Sequence, residues 1–177
     1  MKTILFDMDG VLVDLIPTWL HVYGLETGEF VHPDRIDSYA LQKHVSDYAK
    51  LVTLLPQALL EAPPMIDSSE FNDLVLHNDK FDVYIVTHAF ENRQYSIPNI
   101  KIDWMRHYFP NFDVNNMIFT SQKHLINGDV LVEDSEKVLE KWEANNPEGE
   151  GFLVHAPYNP NGQSLWSIIR IIMGMQS

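Results

Sequence analysis

ILFDMDGVLVD, residues 4–14, places an apolar run ahead of two carboxylates one residue apart, Asp7 and Asp9. Side chains alternate faces along a strand, so positions i and i+2 point the same way. The spacing predicts Asp7 and Asp9 as near neighbours at a strand end, where like charges repel unless positive charge lies between them. A divalent cation meets that need, and Gly10 lets the backbone turn sharply beside it. Calcium loops also open D-x-D. Here, however, Val11, Leu12 and Thr18 occupy the positions where such a loop needs an oxygen ligand, a glycine and a bidentate glutamate.

Outward from this stretch, apolar runs punctuated by turn residues recur at 81–87 (FDVYIVT), 117–120 (MIFT), 129–132 (DVLV) and 151–155 (GFLVH), with the first strand at 3–6. Short β-branched runs of this kind are the pattern of buried parallel strands. Helices are expected between them. Residues 98–109 place Ile102, Met105, Arg106 and Phe109 at helical spacing, residues 135–144 open on Ser135 as N-cap, and 164–174 open on Ser164. Strands alternating with helices predict an α/β fold with a Rossmann-like parallel sheet. One connection, 14–78, is far longer than the dozen or so residues a crossover needs. It reads as helices near 12–23, 37–60 and 68–77, with Pro17 and Pro56 kinking or splitting two of them. The expected organisation is a core of 1–13 and 79–177 with a small helical cap, 14–78, above the strand ends where open α/β sheets bind ligands.

Composition narrows the possibilities. The 177 residues are 45% hydrophobic, enough to bury a core and exclude disorder. Cysteine is absent, which rules out disulfides, thiolate zinc sites and cysteine nucleophiles and fits a reducing, cytoplasmic setting. No charged-then-apolar leader precedes the first strand, and SIIRIIMGM near the end is too short to span a bilayer and carries Arg170. A formal net charge of −13 repels polyanions, so neither a nucleic-acid polymer nor a membrane is an expected partner. A small anion is still accessible, because a bound metal and a lysine reverse the local field.

Three downstream features follow in order: Thr87 at the end of YIVT, Lys123 after the third strand, and the acidic GDVLVED with Asp129, Glu133 and Asp134. Singly, each has an ordinary structural reading as a helix cap, a surface lysine or a solvated turn. Jointly, D-x-D, Thr, Lys and G-D-x-x-x-x-D at successive strand ends resemble the haloacid dehalogenase (HAD) superfamily of phosphohydrolases. Within it, DMDGVLVD, the run from IDWMRHYFP through MIFTSQKHLINGDVLVEDSEK, and the final helix bearing Trp166 resemble the 5′(3′)-deoxyribonucleotidases.

The resemblance implies a Mg2+-dependent phosphatase acting on a small phosphorylated substrate, a nucleoside monophosphate; a homodimer is compatible with it. Asp7 is the implied nucleophile, a carboxylate already ionised at neutral pH. Asp9 is the implied acid and base. Thr87 and Lys123 are the implied phosphate contacts, and His88 beside Thr87 is read either as a further phosphate contact or as a satisfied polar residue. Asp7, the Asp9 backbone carbonyl and Asp134 are the implied metal ligands, few protein oxygens being normal for magnesium. Two departures bear on substrate choice. Glu133-Asp134-Ser135 stands where the family leads one to expect D-D-R, and His88 where a small hydroxyl residue usually follows the threonine. Base recognition is expected from cap aromatics, Trp19, Phe30, Tyr39 and Tyr48. A phosphosugar phosphatase or mutase of the same fold, and a silent nucleotide-binding module, remain open alternatives. Dehalogenation is disfavoured because it has no leaving alkoxide for Asp9 to protonate.

Overall fold

The computed structural model describes residues 1–38, 40–76, 80–90, 92 and 94–174. Its strands are β1 (Lys2–Phe6), β2 (Phe81–Thr87), β3 (Met117–Phe119), β4 (Val130–Glu133) and β5 (Glu150–Leu153). All pair in parallel, in the order β3-β2-β1-β4-β5. Phe6 lies opposite Ile85 on one side and Val132 on the other, so the chain leaving β1, β2 and β4 emerges along one sheet edge. That edge receives the acidic pair.

Period-two alternation divides the core into two layers. Ile4 and Phe6 of β1 face one side with Val83, Ile85, Val130 and Val132. Leu5 faces the other with Val86 and Leu131. The first layer is covered by α5 (Ile97–Tyr108) and α7 (Leu165–Ile172), whose Trp104, Met105, Leu165, Ile168 and Ile169 are buried in it. The second is covered by α6 (Glu136–Asn145) through Leu139 and Trp142. Ser135 and Ser164 are the N-cap residues of α6 and α7, and the Ser164 hydroxyl accepts the Ser167 N–H. The buried face of α5 is rotated from the expected one. It carries Ile97, Lys101, Trp104 and Met105, while Arg106 is exposed and pairs with Asp103 at 3.3 Å. A lysine on the apolar stripe had disguised the true face.

Between β1 and β2 run α1 (Leu15–Thr27), α2 (Tyr48–Thr53), α3 (Leu55–Glu61) and α4 (Ser68–Leu76). α1 starts later than the expected residue 12 because residues 8–13 form a tight turn, with the Leu12 and Val13 N–H groups both donating to the Met8 carbonyl. The expected helix over 37–60 is two short helices. Pro56 sits in the first turn of α3, where its missing N–H costs no hydrogen bond. α4 differs from the other three: Phe71 meets Phe6 edge-on at 5.6 Å and Phe109 at 4.8 Å. Through Phe71 it packs on the sheet side of the insertion. The insertion joins the core through paired segments: Asp14 N–H donates to the Pro63 carbonyl at 2.9 Å, and Met65 N–H to Leu12 at 2.8 Å. No helix among the described residues is long and apolar enough to cross a membrane.

Trp142 is fully buried and its indole N–H donates to the Ile126 carbonyl at 2.9 Å. Trp142→Ala removes the largest side chain of the layer under α6, and the expected cost is about 3–5 kcal/mol, read as a fall in the urea midpoint.

Candidate active site

Asp7 continues the β1 ladder by one residue, donating its N–H to the Val132 carbonyl at 2.9 Å. Its carboxylate is buried. Oδ1 accepts the Met8 N–H at 2.7 Å, and Oδ2 pairs with Lys123 Nζ at 2.7 Å. Asp9 does not lie on the strand. The turn after Met8 carries it back over the sheet edge, so a loop, rather than strand alternation, brings the two acids into one crevice. Gly10 makes that loop possible. Its φ of +78° suits glycine, and a Cβ there would fall on the Asp134 carboxylate.

Each acid of the pair has its own lysine. Lys123, in the turn after β3, reaches both Asp7 Oδ2 and Glu133 Oε2 at 2.7 Å. Burial would lower its pKa, but the Asp7 and Glu133 charges outweigh burial and raise it, so the ammonium stays protonated. Lys101, on α5, reaches Asp9 Oδ2 at 2.6 Å, Thr87 Oγ1 at 2.7 Å and the His88 carbonyl at 2.9 Å. Sequence reasoning missed Lys101. The available signal was a lysine four residues after Ile97 and four before Met105, inside an apolar helical stripe.

Glu133 and Asp134 close the site from the end of β4. Glu133 spans three partners, with Oε2 on Lys123 and Oε1 accepting the N–H groups of Asp134 and Ser135 at 3.2 and 3.1 Å. The longer arm thus ties Lys123 to the β4–α6 turn. Asp134 Oδ2 accepts the Tyr158 hydroxyl at 2.6 Å, and its carbonyl accepts the Asn159 amide. Nothing in sequence spacing pointed to Tyr158 or Asn159, on the loop after β5. Asp129 lies at the opposite end of β4, where its carboxylate accepts the Thr3 N–H at 2.7 Å. Its role is to fix strand pairing.

A divalent cation fits this donor set. Asp7, Glu133 and Asp134 each bring one carboxylate oxygen within 4.8 Å of the others. Glu133 has both oxygens engaged, whereas Asp134 Oδ1 is buried without a hydrogen-bond partner among the described residues. When ionised, the carboxylates of Asp7, Asp9, Glu133 and Asp134 exceed the two lysines by two negative charges. Burial and the Asp7 charge push the Asp134 carboxyl up to about 6. Burial, opposed by Lys101 and assisted by Asp7, likewise raises Asp9. Burial and Asp7 raise Glu133 well above its ordinary value, with Lys123 opposing.

Thr87 is fully buried at the end of β2. His88 stands at the rim with its ring 4.5 Å from Phe90. Partial desolvation, then the charges of Lys101 and Lys123, lower its pKa, so the neutral ring adds no charge to the crevice at pH 7. On the insertion side, Trp19, Tyr48, Phe90, Leu15, Ile16 and Leu41 line a cavity that opens onto Asp9, Gly10 and Asp134. Trp19 is anchored by its indole N–H on the Leu51 carbonyl at 2.6 Å. Of the expected aromatics, Trp19 and Tyr48 line this cavity. Phe30 does not: it is 68% exposed and lies over Gly24 on the outside of α1. Tyr39 falls outside the described residues. Phe90, which the sequence reading did not select, takes part instead.

A parallel sheet with an acid-and-lysine crevice at its carboxyl edge is the architecture of the HAD hydrolases. A putative β-phosphoglucomutase from Thermotoga maritima superposes with a TM-score of 0.57 at 16% identity, covering 99% of this chain and 100% of that one. A HAD hydrolase of family IA, variant 3, from Entamoeba histolytica superposes with a TM-score of 0.51 at 12% identity, covering 96% and 100%. Residues 1–165 match the family described as 5′ nucleotidase, deoxy (pyrimidine), cytosolic type C, and the chain belongs to that family. The 5′(3′)-deoxyribonucleotidase of Bacillus subtilis (strain 168) is 28% identical over 160 residues, 90% of this chain and 88% of the relative. The protein is a hydrolase of phosphoric monoesters.

Because Asp9, Glu133 and Asp134 are all raised, the metal-free fold holds more protons than the unfolded chain at acid pH. Their contribution to stability therefore falls as pH rises above the ordinary carboxylate range, for Asp134 through about 6. A divalent cation requires the ionised forms. Metal-free protein should melt at a lower temperature at pH 7.5 than at pH 5, and Mg2+ should raise the melting temperature more at pH 7.5. A response to Mg2+ that is equal at both values would contradict the assignment.

Proposed function

We propose that this chain is a Mg2+-dependent 5′(3′)-deoxyribonucleotidase that works through an aspartyl-phosphate on Asp7. The observation that supports it most is the pairing of two buried acids with two separate lysines, Asp7 with Lys123 and Asp9 with Lys101. This arrangement distinguishes the two carboxylates chemically. Asp7 carries the more exposed partner for a phosphoryl group: Lys123 lines the same open crevice as Asp7, Asp9, Thr120 and Ser121. An ammonium there offsets the charge of nucleophile and phosphate together.

In the first half-reaction an Asp7 oxygen bonds to phosphorus, the bond from phosphorus to the sugar oxygen breaks, and Asp9 gives its proton to that oxygen. In the second, water attacks the acyl-phosphate and Asp9 takes its proton, which returns Asp7 and releases inorganic phosphate. Burial and the neighbouring Asp7 favour a protonated Asp9, which suits the first step. The cation would be held by Asp7, Asp134 and the Asp9 carbonyl; bound there, it supplies charge to the phosphoryl oxygens. Thr87 donates its hydroxyl proton to a phosphoryl oxygen, and His88 borders the phosphate side as a neutral group. Trp19, Tyr48 and Phe90 offer ring faces to a planar base, since stacking on aromatic side chains tolerates any flat heterocycle. That slot, together with the family, favours a nucleotide over a sugar phosphate.

Phosphate release from a panel of monophosphates with and without Mg2+ tests the reading. dUMP and dTMP should be hydrolysed in preference to sugar phosphates, and only with the metal; the reverse preference would remove the nucleotidase claim. Asp7→Asn should abolish turnover while leaving part of the Mg2+-dependent thermal stabilisation. Full activity in that variant would remove Asp7 as nucleophile. Tyr48→Ala, at a 43% exposed position, should raise KM for dUMP several-fold with little change in melting temperature.

A further inference from the structure

We propose that Lys101 is a positioning residue. It grips Asp9 by a single carboxylate oxygen, Oδ2, and so leaves Oδ1 as the oxygen that exchanges a proton with the leaving group. The inference rests on the acid and base role given to Asp9 above. An ammonium has three donors and no acceptor. Those of Lys101 are matched by Asp9 Oδ2 at 2.6 Å, Thr87 Oγ1 at 2.7 Å and the His88 carbonyl at 2.9 Å. The side chain is fully buried, and its anchor on the His88 carbonyl belongs to the backbone leaving β2, so the group has no freedom to follow a substrate. Charge-assisted bonds of this length fix orientation as well as distance.

The two oxygens of Asp9 are consequently unlike. Oδ2 is held by Lys101. Oδ1 is buried and lacks any hydrogen-bond partner among the described residues. Asp9 borders both the aromatic cavity under α1 and the crevice that holds Asp7 and Lys123. A sugar oxygen bridging those two spaces would lie against Asp9, whose one unpaired oxygen is Oδ1. The same lysine also constrains Thr87. Nζ can only donate, so Thr87 Oγ1 accepts from it, and the hydroxyl proton is left for a different acceptor. This second contact provides a rival account, in which Lys101 acts only through Thr87 on phosphate binding.

Leaving-group dependence separates the two. Departure of a deoxynucleoside needs a proton, whereas p-nitrophenolate leaves as a stable anion and needs little help. In Lys101→Met, kcat/KM for dUMP should fall by about a hundredfold or more, while kcat/KM for p-nitrophenyl phosphate falls by less than about tenfold. Comparing the two substrates in one preparation cancels any loss of folded protein. Lys101→Gln, which keeps a neutral donor, provides a second variant in case the methionine variant folds poorly. Asp9→Asn is the control, and it should show the same discrimination. Equal losses on both substrates in the Lys101 variants, with discrimination intact in Asp9→Asn, would overturn the inference alone. Equal losses in Asp9→Asn as well would instead overturn the acid role of Asp9.

Discussion

Crowding of negative charge at the end of the central strand is the constraint on which this molecule is built. Asp7, Asp9, Glu133 and Asp134 meet where β1 and β4 leave the sheet, largely out of water, and desolvation raises three of them. An isolated buried carboxylate would neutralise itself by taking up a proton. Lys123 and Lys101 prevent that only in part, since each answers the acids on its own side. The remaining imbalance suits a divalent cation, and Asp134 holds an unpaired oxygen for one. The charge crowding that leaves room for a cation also holds two lysines in the crevice.

The surrounding fold meets this constraint through where its loops return. β3 contributes no acid, yet the turn after it delivers Lys123. α5 is a crossover helix with an ordinary apolar face, except that one position on that face is the second lysine. The loop after β5 supplies Tyr158 and Asn159, which hold Asp134 by its side chain and its carbonyl. Elements that look like connections in the topology are therefore the ones that set the orientation of the acids.

Much of this was legible in the residues. β-branched runs separated by turn chemistry located all five strands to within a residue or two, because the central strands are buried on both faces and even the half-buried edge strands keep apolar residues. Thr87 ends β2, Asp7 and Asp134 directly follow β1 and β4, and Lys123 lies in the turn after β3, so strand prediction placed them as well. The less legible parts share a cause: they depend on which side chains meet across long sequence separations. Lys101 lies 92 residues from Asp9 and was hidden in a helical pattern whose face was read one position off. Phe30 looked like Trp19 in composition, but packing over Gly24 turned it outward. Glu133 seemed a lengthened substitute for aspartate, and only the coordinates show that the extra length lets it bridge Lys123 and two backbone N–H groups.

The paired segments at 12–14 and 63–65 have a mechanical meaning. Two independent tethers would let the helical insertion twist and slide over the sheet edge. Cross-linked by reciprocal backbone hydrogen bonds, they act as one two-ply strap, which bends readily across its width and resists shear along its length. One ply runs directly on from the turn bearing Asp9 and Gly10, so the strap joins the backbone beside the acids to the helices that carry Trp19 and Tyr48.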